Sequence, residues 1–155
     1  MPMAEVFDSL ADAARSSFPT EFCRIVAMRE HGDVGYVLFN TRPLGEPYLY
    51  GVDYERIDGR WTEGGSANGP GWSRVGPELG TLTIWDEAPP SADRVRVDFE
   101  GETREEAVNE GAYLAVWWNV SHPDRNRWPI ATAFRINGEW VRAPQGSEAS
   151  DARAA

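Results

Sequence analysis

The sequence contains two histidines, His31 and His122, whose side chains are suited to acid–base or metal chemistry. Neither has a second histidine two to four positions away, so the sequence contains no local metal-ligand pair. One hypothesis is that folding brings both histidines and carboxylates together in one site. The alternative is that both histidines lie in exposed turns. Cys23 is the single cysteine, which excludes an intrachain disulfide and a thiolate-rich zinc site. We therefore assign no catalytic, metal or cofactor residue.

The glycine-rich segment 64–71, which contains Ser66, is the next candidate. A nucleophile elbow requires Gly-x-Ser-x-Gly between a strand and a helix, and no helix is predicted after this segment. A phosphate-binding loop requires a lysine, whereas all 15 basic residues are arginine. The missing lysine also excludes Schiff-base chemistry. The segment is therefore predicted to be an irregular loop.

Carboxylates cluster between residues 98 and 110, and Glu102, Glu105 and Glu106 are central among them. The simpler interpretation is a solvated strand face. The alternative is a docking surface for an arginine- or lysine-rich partner.

Seven tryptophans are an unusual number for 155 residues. Trp117 and Trp118 are adjacent in a predicted strand, so their side chains should point to opposite faces. Trp118 is then a candidate binding anchor, unless both faces are buried. Trp72 and Trp128 lie in predicted loops, and each is suited to stack on a ligand or to fold back over the sheet.

The net charge of −10 argues against binding to nucleic acid or to an anionic membrane, because both would repel the protein. The charge is compatible with a basic protein partner and also with simple solubility. No window approaches the roughly 18 apolar residues of a membrane span. The first residues lack the basic and apolar regions of a signal peptide, so we expect a cytoplasmic protein.

The elements that must position these residues are mainly short strands. Helical spacing predicts an amphipathic helix over residues 4–17. Alternating apolar runs separated by Asp58-Gly59 and Asn137-Gly138 predict β-hairpins. The predicted fold is mainly β with one N-terminal helix, in two small antiparallel units packed together. These units are residues 1–78 and an immunoglobulin-like sandwich over 79–142, followed by a disordered polar tail over 143–155.

Three segments together resemble parts of small β-rich proteins common in high-GC bacteria. They are YLYGVDYERIDGRW, GGSANGPGWSR and DRVRVDFEGETREEAVNEGAYLAVWW, and the resemblance spans roughly residues 22 to 142. It implies a sandwich-like fold and a bacterial origin, and it implies no activity or catalytic residue.

Taken together, these features predict a non-enzymatic binding protein with an acidic and aromatic surface. One concrete form is an immunity- or inhibitor-like protein that engages a basic macromolecule. The alternative is a sandwich that binds a small molecule or carbohydrate on exposed tryptophans. A third hypothesis is an enzyme that uses one of the two histidines.

Overall fold

The protein is described by a computed structural model over residues 9–17, 23–42, 48–67, 71–74, 79–124 and 127–144. The described chain has one helix, α1, at Leu10–Ser17, and eleven strands. The strands are Arg24–His31 (β1), Val34–Asn40 (β2), Leu49–Ile57 (β3), Arg60–Ala67 (β4), Trp72–Arg74 (β5), Gly80–Glu87 (β6), Ala92–Phe99 (β7), Glu102–Ala107 (β8), Ala112–Val120 (β9), Ile130–Ile136 (β10) and Glu139–Arg142 (β11).

All strand pairs are antiparallel and form three sheets. Sheet A has the order β1-β2-β3-β4, sheet B the order β5-β6-β9 and sheet C the order β11-β10-β7-β8. The predicted hairpin turns at Asp58-Gly59 and Asn137-Gly138 are confirmed, because all four residues have positive φ angles. The prediction of a mainly β fold with one helix is confirmed.

The helix begins with a side-chain cap, in which the backbone N–H of Asp12 donates to Ser9 Oγ at 3.1 Å. Its apolar face, formed by Leu10, Ala13 and Ala14, is buried against sheet A. The predicted helix ends at Ser17 as expected. Residues 4–8 of that prediction lie outside the described chain.

The layers stack as α1, sheet A, sheet B and sheet C, with a separate hydrophobic core between each neighbouring pair. The core under the helix contains Phe39 and Trp61. The core between sheets A and B contains Leu38 and Leu114, and we call it the A–B core. The core between sheets B and C contains Val97 and is called the B–C core. Three cores formed in this way let sheets A and B bury apolar side chains on both faces.

The glycine-rich segment differs in part from its prediction as a loop. Residues 64–67 continue β4, with Ser66 opposite Val52, while residues 68–70 lie outside the described chain. Two glycines alone do not prevent a strand, because the backbone ladder to β3 forms without large side chains.

The predicted division at residue 78 falls between β5 and β6, and these two strands pair with each other in sheet B. The two-unit division and the immunoglobulin-like arrangement of 79–142 stay predictions. The predicted polar tail lies outside the described chain from residue 145 onward. Among the described residues, no helical segment has both the length and the apolar character that a bilayer crossing requires.

Gly51 provides a test of the packing between sheets A and B. An ideal Cβ at this position would overlap the hydroxyl of Tyr36, which is 4% exposed and accepts a 2.8 Å hydrogen bond from Trp85 Nε1. We expect Gly51→Ala to lower the free energy of unfolding by about 1–3 kcal/mol, because the buried ring has to move.

Gly64→Ala in the neighbouring strand is the control, since its Cβ would meet the Asp53 carbonyl at an ordinary 3.4 Å. Urea unfolding would compare the two variants. Equal stability of Gly51→Ala and wild type would contradict the packing described here.

Candidate functional site

Three aromatic side chains meet at the end of β9, where the chain leaves sheet B. His122 lies between two tryptophans, with its ring centroid 5.1 Å from that of Trp72 and 5.5 Å from that of Trp128. Both contacts are edge-to-face, the arrangement that aromatic quadrupoles favour. The structure thus brings together two of the three tryptophans predicted as binding residues.

Hydrogen bonds from side chains to backbone carbonyls hold this cluster in place. Trp72 Nε1 donates to the carbonyl of Val120 at 2.9 Å, which fixes the indole of β5 against the end of β9. His122 Nδ1 lies 2.9 Å from the carbonyl oxygen of Pro123. A carbonyl can only accept, so this contact places the Nδ1 hydrogen there. Trp72 and His122 are therefore anchored side chains.

A surface groove with a volume of about 580 Å³ lies beside the cluster. It is formed by the β7–β8 turn on one side and by the start of β10 on the other. Its lining residues are Asp98, Phe99, Glu100, Arg127, Trp128 and Ile130. Ile130 is directly opposite Asp98 in the β7–β10 ladder, which explains why two distant sequence segments line one groove.

A second hollow of about 250 Å³ adjoins this groove and shares Phe99, Glu100 and Arg127 with it. Its remaining lining residues are Val120, Ser121, His122, Pro123 and Asp124. We call the two hollows together the end groove. Its described lining residues combine an apolar surface with three carboxylates and one guanidinium, so among them negative charges exceed positive charges by two.

Most charges of the end groove are not engaged by the described part of the chain. Asp98 accepts a hydrogen bond from Thr103 Oγ1 at 2.6 Å. The side chains of Glu100, Asp124 and Arg127 make no hydrogen bond or ion pair with another described residue. Solvent-exposed charges beside an indole are the groups with which an incoming ligand can pair.

Trp118 lies elsewhere. It packs against the A–B core and stacks on His31, the last residue of β1, with centroids 5.9 Å apart and ring planes at 15°. Trp117 is 5% exposed and belongs to the B–C core. The prediction that the two side chains point to opposite faces of β9 is confirmed. The structure also places the two histidines in separate aromatic clusters.

The acidic residues predicted as a docking surface lie on the edge strand β8, and each has an arginine partner within the protein. Glu106, the least exposed of them, lies 3.7 Å from Arg29 Nη2. The other partners are Arg104 for Glu102, at 2.6 Å, and Arg94 and Arg96 for Glu105, at 3.6 and 3.3 Å. A basic partner would have to compete with these arginines, which makes β8 a weaker docking surface than the end groove.

Sequence reasoning included Asp98 and Glu100 in the acidic cluster 98–110, but it did not place them beside Trp128, and it missed Phe99 and Ile130 as groove residues. The alternating pattern of β7 predicted that Phe99 ends a strand, but it did not show which strand lies next to it. The β7–β10 pairing, between strands that are not consecutive, creates the groove. The sequence signals were the carboxylates that begin at Asp98 and the position of Trp128 and Pro129 directly before an apolar run.

A separate polar cluster lies between sheets A and B. Ser73 Oγ donates to Asp53 Oδ2 at 2.8 Å. Burial raises the pKa of Asp53 above its ordinary value, and the Ser73 hydroxyl partly opposes this. Burial also raises the pKa of Tyr36 to about 12. No histidine is among these hydrogen-bond partners, so the Ser73–Asp53 pair lacks the base of a serine nucleophile.

In comparisons with protein-family models, curated proteins and solved structures, no match to this chain was found. Within the described ranges, no group of three or more histidine, cysteine, aspartate or glutamate side chains could hold a metal ion.

The raised pKa of Asp53 predicts how stability depends on pH. Between the ordinary pKa of 3.8 and the raised value, the folded state binds the proton more tightly than the unfolded state. The contribution of Asp53 to stability is therefore full below pH 3.8 and is lost as pH rises through the raised pKa. We expect Asp53→Asn, which keeps an acceptor for Ser73, to raise the melting temperature at pH 7 by about 2–4 °C.

Thermal melts from pH 3 to pH 8 would test this prediction, with Glu55→Gln as a control because Glu55 is exposed on the same strand. The advantage of Asp53→Asn over wild type should grow with pH. A constant difference across that range would mean that the Asp53 charge is not the cause.

Proposed function

We propose that this chain is a non-enzymatic binding protein that receives a positively charged segment of a macromolecular partner in the end groove. One concrete form is an immunity- or inhibitor-like protein that masks a basic surface. The observation that carries the proposal is the composition of the groove, in which Trp128 and Ile130 lie beside the carboxylates of Asp98 and Glu100.

The charges of the chain support this proposal in two ways. The net charge of −10 would attract a basic partner over a distance of about 10 Å at moderate salt. The carboxylates of Glu100 and Asp124, which have no hydrogen-bond or ion-pair partner among the described residues, would then supply short-range contacts at the docking point. The apolar lining adds burial, which is the main favourable term in protein association.

A non-catalytic role is supported by the position of His122. Its Nδ1 donates to a backbone carbonyl, and its exposed ring makes edge-to-face contacts with two tryptophans. This arrangement suits a structural support for the groove wall. The cytoplasmic location expected from the sequence is part of the same proposal.

The carbohydrate alternative requires Trp72, Trp118 and Trp128 as stacking platforms. Of these three, Trp128 lines the described groove, Trp72 is hydrogen-bonded to Val120, and Trp118 stacks on His31. The protein-partner proposal fits better, because of these three tryptophans only Trp128 lines the described groove, and that proposal requires one aromatic surface beside carboxylates rather than a row of three rings.

Site-specific photocrosslinking would test the docking surface in lysate of the native host. A benzophenone side chain at Ile130, which is 42% exposed, is compared with one at Ile57, which is 55% exposed at the end of β3. We expect Ile130 to capture a basic protein at low salt, with several-fold less product at 0.5 M salt because screening weakens the attraction.

The same crosslink should be reduced by Glu100→Gln combined with Asp124→Asn, which removes two negative charges from the groove. Equal products from positions 130 and 57, or a product that these charge changes leave intact, would contradict the proposal. A captured protein that is acidic would contradict it as well.

A further inference from the structure

Three tryptophans outside the end groove show how this protein accommodates an arginine. Each has a guanidinium carbon over its ring, at 5.3 Å for Trp61, 4.6 Å for Trp117 and 3.7 Å for Trp140. The arginines are Arg56, Arg104 and Arg96, respectively. An arginine over an indole is attracted by the negative face of the ring.

The same three guanidinium groups each bind a carboxylate as well. The pairs are Arg56 with Asp33 at 3.0 Å, Arg104 with Glu102 at 2.6 Å and Arg96 with Glu105 at 3.3 Å. The recurring unit therefore consists of three groups in contact, namely an indole, a planar cation and a carboxylate. A guanidinium suits this unit because it can stack by its face while its edge donates hydrogen bonds.

The end groove contains two of these three components. Trp128 supplies the indole, and Asp98 and Glu100 supply carboxylates in the same groove. Among the described residues, no guanidinium lies over the Trp128 ring, which makes an edge-to-face contact with His122. The neighbouring Arg127 lines the groove without forming this stack.

We infer that the groove binds an arginine side chain of the partner, with its guanidinium stacked on Trp128 and hydrogen-bonded to Asp98 or Glu100. This inference rests on the proposed function and narrows it from a basic segment to an arginine-containing one. A lysine ammonium carries the same charge, but it lacks the planar face and the fork of donors. The groove should therefore distinguish the two cations.

Labelled hexa-arginine and hexa-lysine peptides are suitable probes, with binding measured by fluorescence anisotropy at 0.15 M salt. We expect wild type to bind hexa-arginine about 3- to 10-fold more tightly than hexa-lysine, as stacking of this kind implies. Trp128→Ala should remove that preference. Trp140→Ala is the matched control, because its indole is already covered by Arg96, and it should retain the preference.

Charge variants separate this inference from the proposed function. Glu100→Gln should weaken hexa-arginine binding more than Glu87→Gln, an equal charge change at the exposed end of β6. If both peptides bind equally and Glu100→Gln weakens both, the arginine inference fails and the proposed function stands. If Glu100→Gln and Glu87→Gln have the same effect, both fail.

Loss of the Trp128 ring could also disturb the fold, because Trp128 contacts His122, so a second variant that keeps this contact is needed. Trp128→Phe keeps an aromatic ring at that contact and should retain part of the arginine preference, since phenylalanine is a weaker partner for cations than tryptophan. Thermal melts of both variants would verify folding. An undiminished preference in a folded Trp128→Ala or Trp128→Phe would overturn the inference.

Discussion

The burial of β9 on both faces is the constraint on which the rest of the structure depends. Its residues alternate between two cores, with Leu114 and Val116 on the A–B core and Ala115 and Trp117 on the B–C core. A strand covered on both faces has to be apolar throughout, and AYLAVWW satisfies that requirement. The A–B core and the B–C core both contain residues of this strand and of β6, so the stacked cores cannot form without these two strands.

The end groove follows from how β9 ends. The carbonyl of Val120 is held by Trp72, and the chain then leaves sheet B through His122 and Trp128 before β10 joins sheet C. A strand that passes from one sheet to the next leaves a step between them. At this step, loop side chains lie beside the β7–β8 turn instead of being covered by a strand. The same crossing that completes the fold therefore exposes an indole next to carboxylates.

Sequence patterns identified which residues form strands better than they identified which strands lie next to each other. Alternation in β7 and positive-φ turns such as Asn137-Gly138 depend on nearby residues, so they can be recognised locally. The pairing of β10 with β7 and the stacking of Trp118 on His31 depend on contacts distant in sequence. The arginine partners of Glu102 and Glu105 were equally hidden, because a list of acidic residues does not reveal which cations the fold brings near them. Trp128 was recognised for its chemistry, whereas the groove around it was not.

The central position of β9 also affects the order in which the apolar faces of the sheets become buried during synthesis. Sheet A is a meander of four consecutive strands, so its contacts are local and can form early. Its face bearing Leu38 and Tyr36 is covered by Trp85 of β6 and by Leu114 and Val116 of β9, so its cover is complete only after β9 has been made, more than 70 residues after β2. A nascent chain halted before residue 112 would present that apolar sheet face to its surroundings, and it would be prone to aggregate or to be held by chaperones.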